Sequence, residues 1–520
     1  MKRISAAALV MCVGLASAAC DDSFLTTLPP DQLSDAVFWQ EERDAVLSVN
    51  ALYPFMYGWD VMEFDAASDN AWAHKSFDDW YLIGNGTVDA ANGTVARFFN
   101  DSYRAIRRAN ELLANIDRIE NMNPDLNQRI KAEARFHRAY HYNLLANLYG
   151  DVPLILDPIS IPDSRELTRT PRSQVIDQVV EDLQFAAGVL PSDYPDSETG
   201  RATRGAAYAL LARAALWDSR WELAASAASE VMNLGYSLHP NYTELFRYAG
   251  EDSDEHILVD RRMSGQRSHG AFTSYGPRSL QGGSDVVPLR SLVDSYEMID
   301  GMSIDESPLY DEDAPYANRD LRMYGTLLYP GAMFAGQVYN SLPDSPTADR
   351  VKNDFNATAT GYQQIKYVDP ADNPDNRSNS GIDLILIRYA DVLLMYAEAR
   401  VELNQIDQSV YDAINAVRNR AGLPDVTGPH SQDELRQIVR HERRVELALE
   451  GLRMFDLRRW GIAEQVMPGR SYGIDFINED GEVETVLGDQ RFFDPARDYR
   501  WPIPLKELDL NPALGQNPGY

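Results

Sequence analysis

Apolar residues recur at three- and four-residue spacing through residues 98–118 (FFNDSYRAIRRANELLANIDR) and again through 126–149, which predicts two amphipathic helices. The turn-forming NMNPD lies between them, and so short a link makes them antiparallel neighbours. A second pair is predicted at 203–218 (TRGAAYALLARAALWD) and 220–234 (RWELAASAASEVMNL), where alanine lets the two helices approach closely. A third runs from 384–403 (LILIRYADVLLMYAEARVEL) to 408–421 (QSVYDAINAVRNRA). Three helical hairpins predict a mainly α fold of tetratricopeptide-like pairs, although a strict period of about 34 residues is absent. Between the second and third hairpins, about 236–383, the chain is rich in Gly, Pro, Asp, Asn and Tyr and reads as a loop-rich insertion with short strands. Long ordered loops of this kind are usually functional.

The first residues follow a different pattern. Lys2 and Arg3 precede an uncharged stretch, residues 4–19 (ISAAALVMCVGLASAA), which is a positively charged start followed by the apolar segment of a secretory signal. It is shorter than the roughly 20 apolar residues a membrane span needs. Ser17, Ala18 and Ala19 supply small residues directly before Cys20, whereas Cys12 follows Val10 and Met11. Cleavage before Cys20 is therefore expected, leaving a cysteine at the new N-terminus as in a bacterial lipoprotein. Residues 1–19 read as signal peptide, 20–40 as a lipidated tether and 41–520 as the binding domain.

Composition narrows the partners. The 520-residue chain is 44% hydrophobic and 24% charged, ordinary for a globular protein, and its formal charge is -31. Loss of Lys2 and Arg3 with the leader takes that charge to -33. Such a balance opposes binding to polyanions, so nucleic acid is not an expected partner. Cys20 is the one cysteine left after processing, and once acylated it leaves neither a disulfide nor a thiol nucleophile.

Several ordered blocks carry a family resemblance: CDDSFLTTLPPDQLSDAVFWQEERDAVLSVNALY at the start, then AEARFHRAYHYNLLANLYGDVPL, LVDSYEMIDGMSI, TGYQQIKYVD, IRYADVLLMYAEARVELN, ERRVELALEGLRMFDLRRWG and the ending WPIPLKELDLNPALGQNPGY. Together they resemble the SusD/RagB family of outer-membrane nutrient-binding lipoproteins. The resemblance implies a SusD-like α-superhelix with four tetratricopeptide-like units and a lipid anchor on Cys20. It also implies a surface-exposed position at the bacterial outer membrane and partnership with a SusC-like TonB-dependent transporter, above which the protein captures glycans or other polymers. Asp21 and Asp22 resemble the export signal that follows the lipidated cysteine in such proteins.

Catalytic and metal chemistry leave weaker traces. Glu133, His137 and His141 share one helix face, but no HExxH is formed, and Tyr140 and Tyr142 make the segment a packing helix. Asp78 and Asp79 are adjacent, yet a chain with 79 acidic residues contains many such pairs by chance, so no glycosidase dyad stands out. GxSxG and Walker loops are absent. Arg443 with Glu446, and Glu450 with Arg453, have the spacing of helical ion pairs. The Asp/Asn-rich 369–381 lacks EF-hand spacing and reads as a solvated loop. Neither a metal nor a cofactor is expected.

Binding leaves a clearer trace. Sugars present flat C–H faces and many hydroxyls, so a glycan site needs exposed rings beside amides, carboxylates or arginine. Nine aromatics fall between Tyr53 and Tyr81: Tyr53, Phe55, Tyr57, Trp59, Phe64, Trp72, Phe77, Trp80 and Tyr81. The chain average of 10% would place about three in those 29 residues. Trp39, Trp217, Trp221, Trp460 and Trp501 fall in structural blocks or a helical hairpin, and the first aromatics end a helix. Elimination leaves Trp59, Trp72 and Trp80, of which Trp72 and Trp80 are the expected ligand platforms, with Tyr81, Asp69 and Asn70 beside them. The loop RRMSGQRSHGAFTSYGPRSLQGG, 261–283, adds Arg267, Phe272, Tyr275 and Arg278 as candidates. In the resembling family such loops vary with ligand, so no site motif carries over residue by residue. The expected function is non-catalytic glycan binding. A secreted glycoside hydrolase, or a purely structural tetratricopeptide scaffold, are the alternatives.

Overall fold

The computed structural model describes residues 38–520, so the expected leader, Cys20 and the expected tether up to residue 37 lie outside the described residues. The packed body begins before the expected boundary at 41. Trp39 is buried with Leu112, Ile116 and Ile119, its ring edge-on to Phe38.

The main elements are α1 (Glu42–Asn50), β1 (Ala71–Ala73), α2 (Asp79–Gly84), α3 (Gly93–Asn115), α4 (Pro124–Tyr149), α5 (Arg172–Val189), α6 (Arg204–Trp217) and α7 (Trp221–Met232). There follow β2 (His256–Asp260), β3 (Val286–Pro288), β4 (Leu384–Arg388), α8 (Tyr389–Glu402), α9 (Gln408–Arg420), α10 (Gln432–Glu446), β5 (Gly469–Ile477) and β6 (Val483–Arg491). The fold is mainly α, with short strand pairs in the loop-rich regions. Local signals fix the helix ends. Asn123 accepts from the amides of Asp125 and Leu126, with Pro124 in the first turn, and Gly150 closes α4 at φ 80°. Ser431 and Glu434 form a reciprocal capping box on α10.

The three expected hairpins are present, and they join into one stack. The helix α5 packs between α4 and α6, and α7 packs on α8 although about 156 residues separate them in sequence. That closure depends on β2 and β4, which pair antiparallel at the two ends of the insertion. Residues 384–388 are thus a strand, where the sequence suggested the start of a helix. Every residue of LILIR is buried, so the segment has no polar positions to reveal its period.

The charged residues of RHERRVELALEGLRMF pair over long range and not within their own helix. Glu446 meets Arg322 (3.0 Å), Arg388 (2.5 Å) and Arg420. Arg443 meets Asp391 (2.9 Å) and Asp456 (3.2 Å), Glu450 meets Lys366 (2.9 Å) and Arg388 (2.7 Å), and Arg453 meets Asp69 (2.8 Å). This network ties α10 to the insertion. Burial lowers the Lys366 ammonium to about 8 even with Glu450 beside it.

His137 and His141 are buried in the aromatic core, edge-on to Tyr53 and Tyr57 respectively. Burial holds His137 at about 3, and Glu133 is committed to Arg201 (2.9 Å) and the Tyr53 hydroxyl (2.6 Å). No group of His, Cys, Asp and Glu among the described residues could hold a metal ion, and no helix among them is long and apolar enough to cross a membrane.

Candidate functional site

Antiparallel pairing of β1 with β3 matches Ala71 to Pro288, Trp72 to Val287 and Ala73 to Val286. The register sets the chain leaving β1 (residues 74–78) beside the chain entering β3 (276–285). The Asp78 amide donates to the Lys75 carbonyl (2.8 Å), forming a turn that carries Phe77 outward. Its ring is 73% exposed.

A second turn meets it. The Asp354 side chain accepts from the Asn356 amide (2.8 Å) and from Arg278 Nε (3.0 Å), while the Ala357 amide donates to the Asp354 carbonyl (3.1 Å). Phe355 at its apex is 55% exposed and stacks on Phe77, with centroids 5.3 Å apart and planes 22° from parallel. Lys75 Nζ sits 5.0 Å from the Phe355 centroid and donates to Asp285 (2.5 Å) and Asn356 (3.1 Å). The result is a stacked pair of phenyl rings in solvent, edged by an ammonium, a guanidinium, two carboxylates and an amide. Burial and the neighbouring Lys75 lower His74 to about 4, so it is neutral at pH 7. Asp354 is partly desolvated, but its bonds from Arg278 and the Asn356 amide hold it below the ordinary carboxylate value.

Of the nine residues expected from sequence, Arg278 alone borders this surface. The expectation that Trp72 and Trp80 are exposed platforms is corrected. Trp72 is 7% exposed and packs with Val287, Leu289, Ala359 and Tyr81, because both faces of β1 are covered. Trp80 is 3% exposed, donates its indole N–H to Glu63 (2.7 Å) and meets Phe64 and Trp501 edge-on. Asp69 is a buried ion-pair partner of Arg453 and Arg444 (2.8 and 3.0 Å), and Asn70 is buried between Asp65 (3.1 Å) and Arg444 (3.0 Å). Phe272 and Tyr275 are fully buried, Tyr275 stacked on Trp59. Tyr81 is half-buried and donates to Asp489 at the base of the β5–β6 hairpin (2.5 Å). Arg267 pairs with Asp260 (2.6 Å) and lines a separate cavity of about 260 Å³ with Tyr53, Glu198 and Arg201.

Sequence reasoning missed Phe355, Lys75, Asp285, Asp354 and Asn356, and it counted Phe77 without choosing it. One signal was available. Each phenylalanine is a single ring flanked on both sides by polar turn formers, KSFDD and NDFN, and not by other large apolar residues.

Two family models match the chain: the SusD family over residues 233–520, and a model described as starch-binding, associating with outer membrane, over residues 45–216. The chain belongs to the SusD family. A SusD-like carbohydrate binding protein of Bacteroides fragilis shares its fold at a TM-score of 0.85 and 32% identity, over 92% of this chain and 99% of that one. A laminarin binding SusD-like protein matches at a TM-score of 0.69 and 26% identity, over 93% of this SusD-family chain and all of its own. SusD-like protein P25 of Formosa agariphila is 27% identical over 96% of each chain. The surface described above is therefore built on a SusD scaffold, from turns that the scaffold leaves exposed.

Proposed function

We propose that this SusD-family protein is a non-catalytic, cell-surface glycan-binding subunit that hands oligosaccharides to a SusC-like TonB-dependent outer-membrane transporter, with Phe77 and Phe355 as the platform on which sugar rings lie. The observation that carries the reading is the exposed stacked pair itself. Two large rings held open to water by turn hydrogen bonds lose the burial that would stabilise a core, whereas a sugar face recovers it. Lys75, Asp285, Asn356, Arg278 and Asp354 offer donors and acceptors to hydroxyls at the rim. Carbohydrate and laminarin binding in the related proteins named above support the same ligand class. Acylation of Cys20 supplies the anchor in this reading, and intact mass of the mature N-terminus tests it.

A hydrolytic role has less support. Glu63 is a half-buried carboxyl that desolvation raises to about 7, but its two oxygens accept the indole N–H groups of Trp59 and Trp80 (2.9 and 2.7 Å). Both oxygens are thus committed to indole donors. The deciding experiment is titration of glycans into the full chain and into Phe77→Ala/Phe355→Ala. Binding lost in the double variant without release of reducing ends supports the proposal. Binding unchanged by the double variant refutes the platform.

A further inference from the structure

The charges around the platform say more about its ligand than its shape does. Three segments build it: 74–79 (HKSFDD), 276–285 (GPRSLQGGSD) and 349–356 (DRVKNDFN). They carry four permanent cations, Lys75, Arg278, Arg350 and Lys352, and five carboxylates, Asp78, Asp79, Asp285, Asp349 and Asp354. The two cations in contact with the platform are both held by carboxylates, Lys75 by Asp285 (2.5 Å) and Arg278 by Asp354 (3.0 Å). Arg350 is bonded to Asn353 (2.7 Å), and Lys352 to the Leu487 carbonyl (2.7 Å).

An anionic sugar would meet three obstacles here. To reach either cation in contact with the platform, it would have to displace Asp285 or Asp354 from an existing ion pair. It would lie against phenyl faces whose quadrupole is negative and attracts cations, as the Lys75 ammonium over Phe355 shows. It would approach a chain with a formal charge of -31. A neutral sugar meets none of them. A hydroxyl both donates and accepts, so a rim of paired ammonium, guanidinium, carboxylate and amide groups can bond to it at either end, using the donors and lone pairs the ion pairs leave spare.

We infer that the Phe77–Phe355 platform takes uncharged glycans and discriminates against uronate-bearing and sulfated ones. This rests on the glycan reading above, and the experiment separates the two. The full chain is titrated with a panel of neutral polymers (β-1,3-glucan, xylan, mannan, starch) and with each polymer after chemical sulfation, at low and high salt. At least one neutral polymer is expected to bind. Its sulfated form should bind about tenfold or more weakly, and salt should change the neutral affinity less than about twofold, because no ion pair with the ligand is being screened. Asp354→Asn, which frees Arg278, should raise affinity for the sulfated form by about threefold or more. A sulfated polymer that binds more tightly than its parent, with affinity that falls steeply with salt and is lost in Phe77→Ala, overturns this inference and leaves the glycan platform standing. Failure of every polymer, native or sulfated, overturns the platform and the inference together.

Discussion

Phe77 and Trp80 stand on either side of one helix cap and have opposite surroundings. Asp78 caps α2 by accepting from the Trp80 amide (2.9 Å), so the chain after it turns into the core and the chain before it turns out. Trp80 is sealed against Glu63, Phe64 and Trp501, while Phe77 lies in water against Phe355. An aromatic residue's size and its place in an enriched stretch therefore say little about its role. What decides it is whether hydrogen-bonded turns hold the ring away from the core.

The sharpest way to break that comparison is stability. Trp80→Ala empties a filled core site and should cost about 3–5 kcal/mol, read by denaturant unfolding, while the folded fraction keeps its glycan affinity. Loss of affinity with unchanged stability would place Trp80 in the site after all. Asp69 offers a pH test of the same buried set. Burial works to raise its carboxyl, but Arg444 and Arg453 outweigh burial and hold it at about 2. Because the folded value lies below the unfolded one, the carboxylate contributes stability fully present above about pH 4 and lost as pH falls through about 2, of the order of 2 kcal/mol. Asp69→Asn should remove that part of the acid dependence, and a variant whose unfolding curve retains it refutes the assignment.

On the exposed side, each of Phe77→Ala and Phe355→Ala should weaken glycan binding by about two- to tenfold, the worth of about 0.5–1.5 kcal/mol for one ring. Stability should move by less than about 0.5 kcal/mol, since neither ring fills a core. A large loss of stability from either would make the pair structural. The smallest effect is expected from Phe77→Trp, which keeps a flat ring in place and should hold affinity within about twofold. A drop of tenfold would mean that the ring's outline, and not its face, is what the ligand reads.

Much of the helical fold was legible locally. The periods of 98–118, 126–149, 203–218 and 220–234 need only neighbours in the chain to act, and helices stand there at Gly93–Asn115, Pro124–Tyr149, Arg204–Trp217 and Trp221–Met232. The LILIR segment failed because a fully buried run has no polar positions, so its strand character depends on the partner 256–260 that pairs with it. Charge pairing in α10 failed for the same kind of reason. Spacing along one helix offered Arg443 with Glu446, but burial against α8 and β4 brought Asp391 to the first and Arg388 to the second, and a buried charge is held by whatever counter-ion the packing brings within reach.

The candidate site divides along the same line. By itself the sequence determined that rings are concentrated near residues 53–81, that Arg278 sits in a loop-rich insertion, and that the chain carries a formal charge of -31. Those are properties of composition and short segments. Which rings face water was decided only by tertiary structure. Packing over both faces of β1 buried Trp72, the α2 cap sent Trp80 into the core, and two turns almost 280 residues apart carried Phe77 and Phe355 outward to meet. Exposure belongs to the assembled surface, and no pattern confined to one segment contains the other half of that pair.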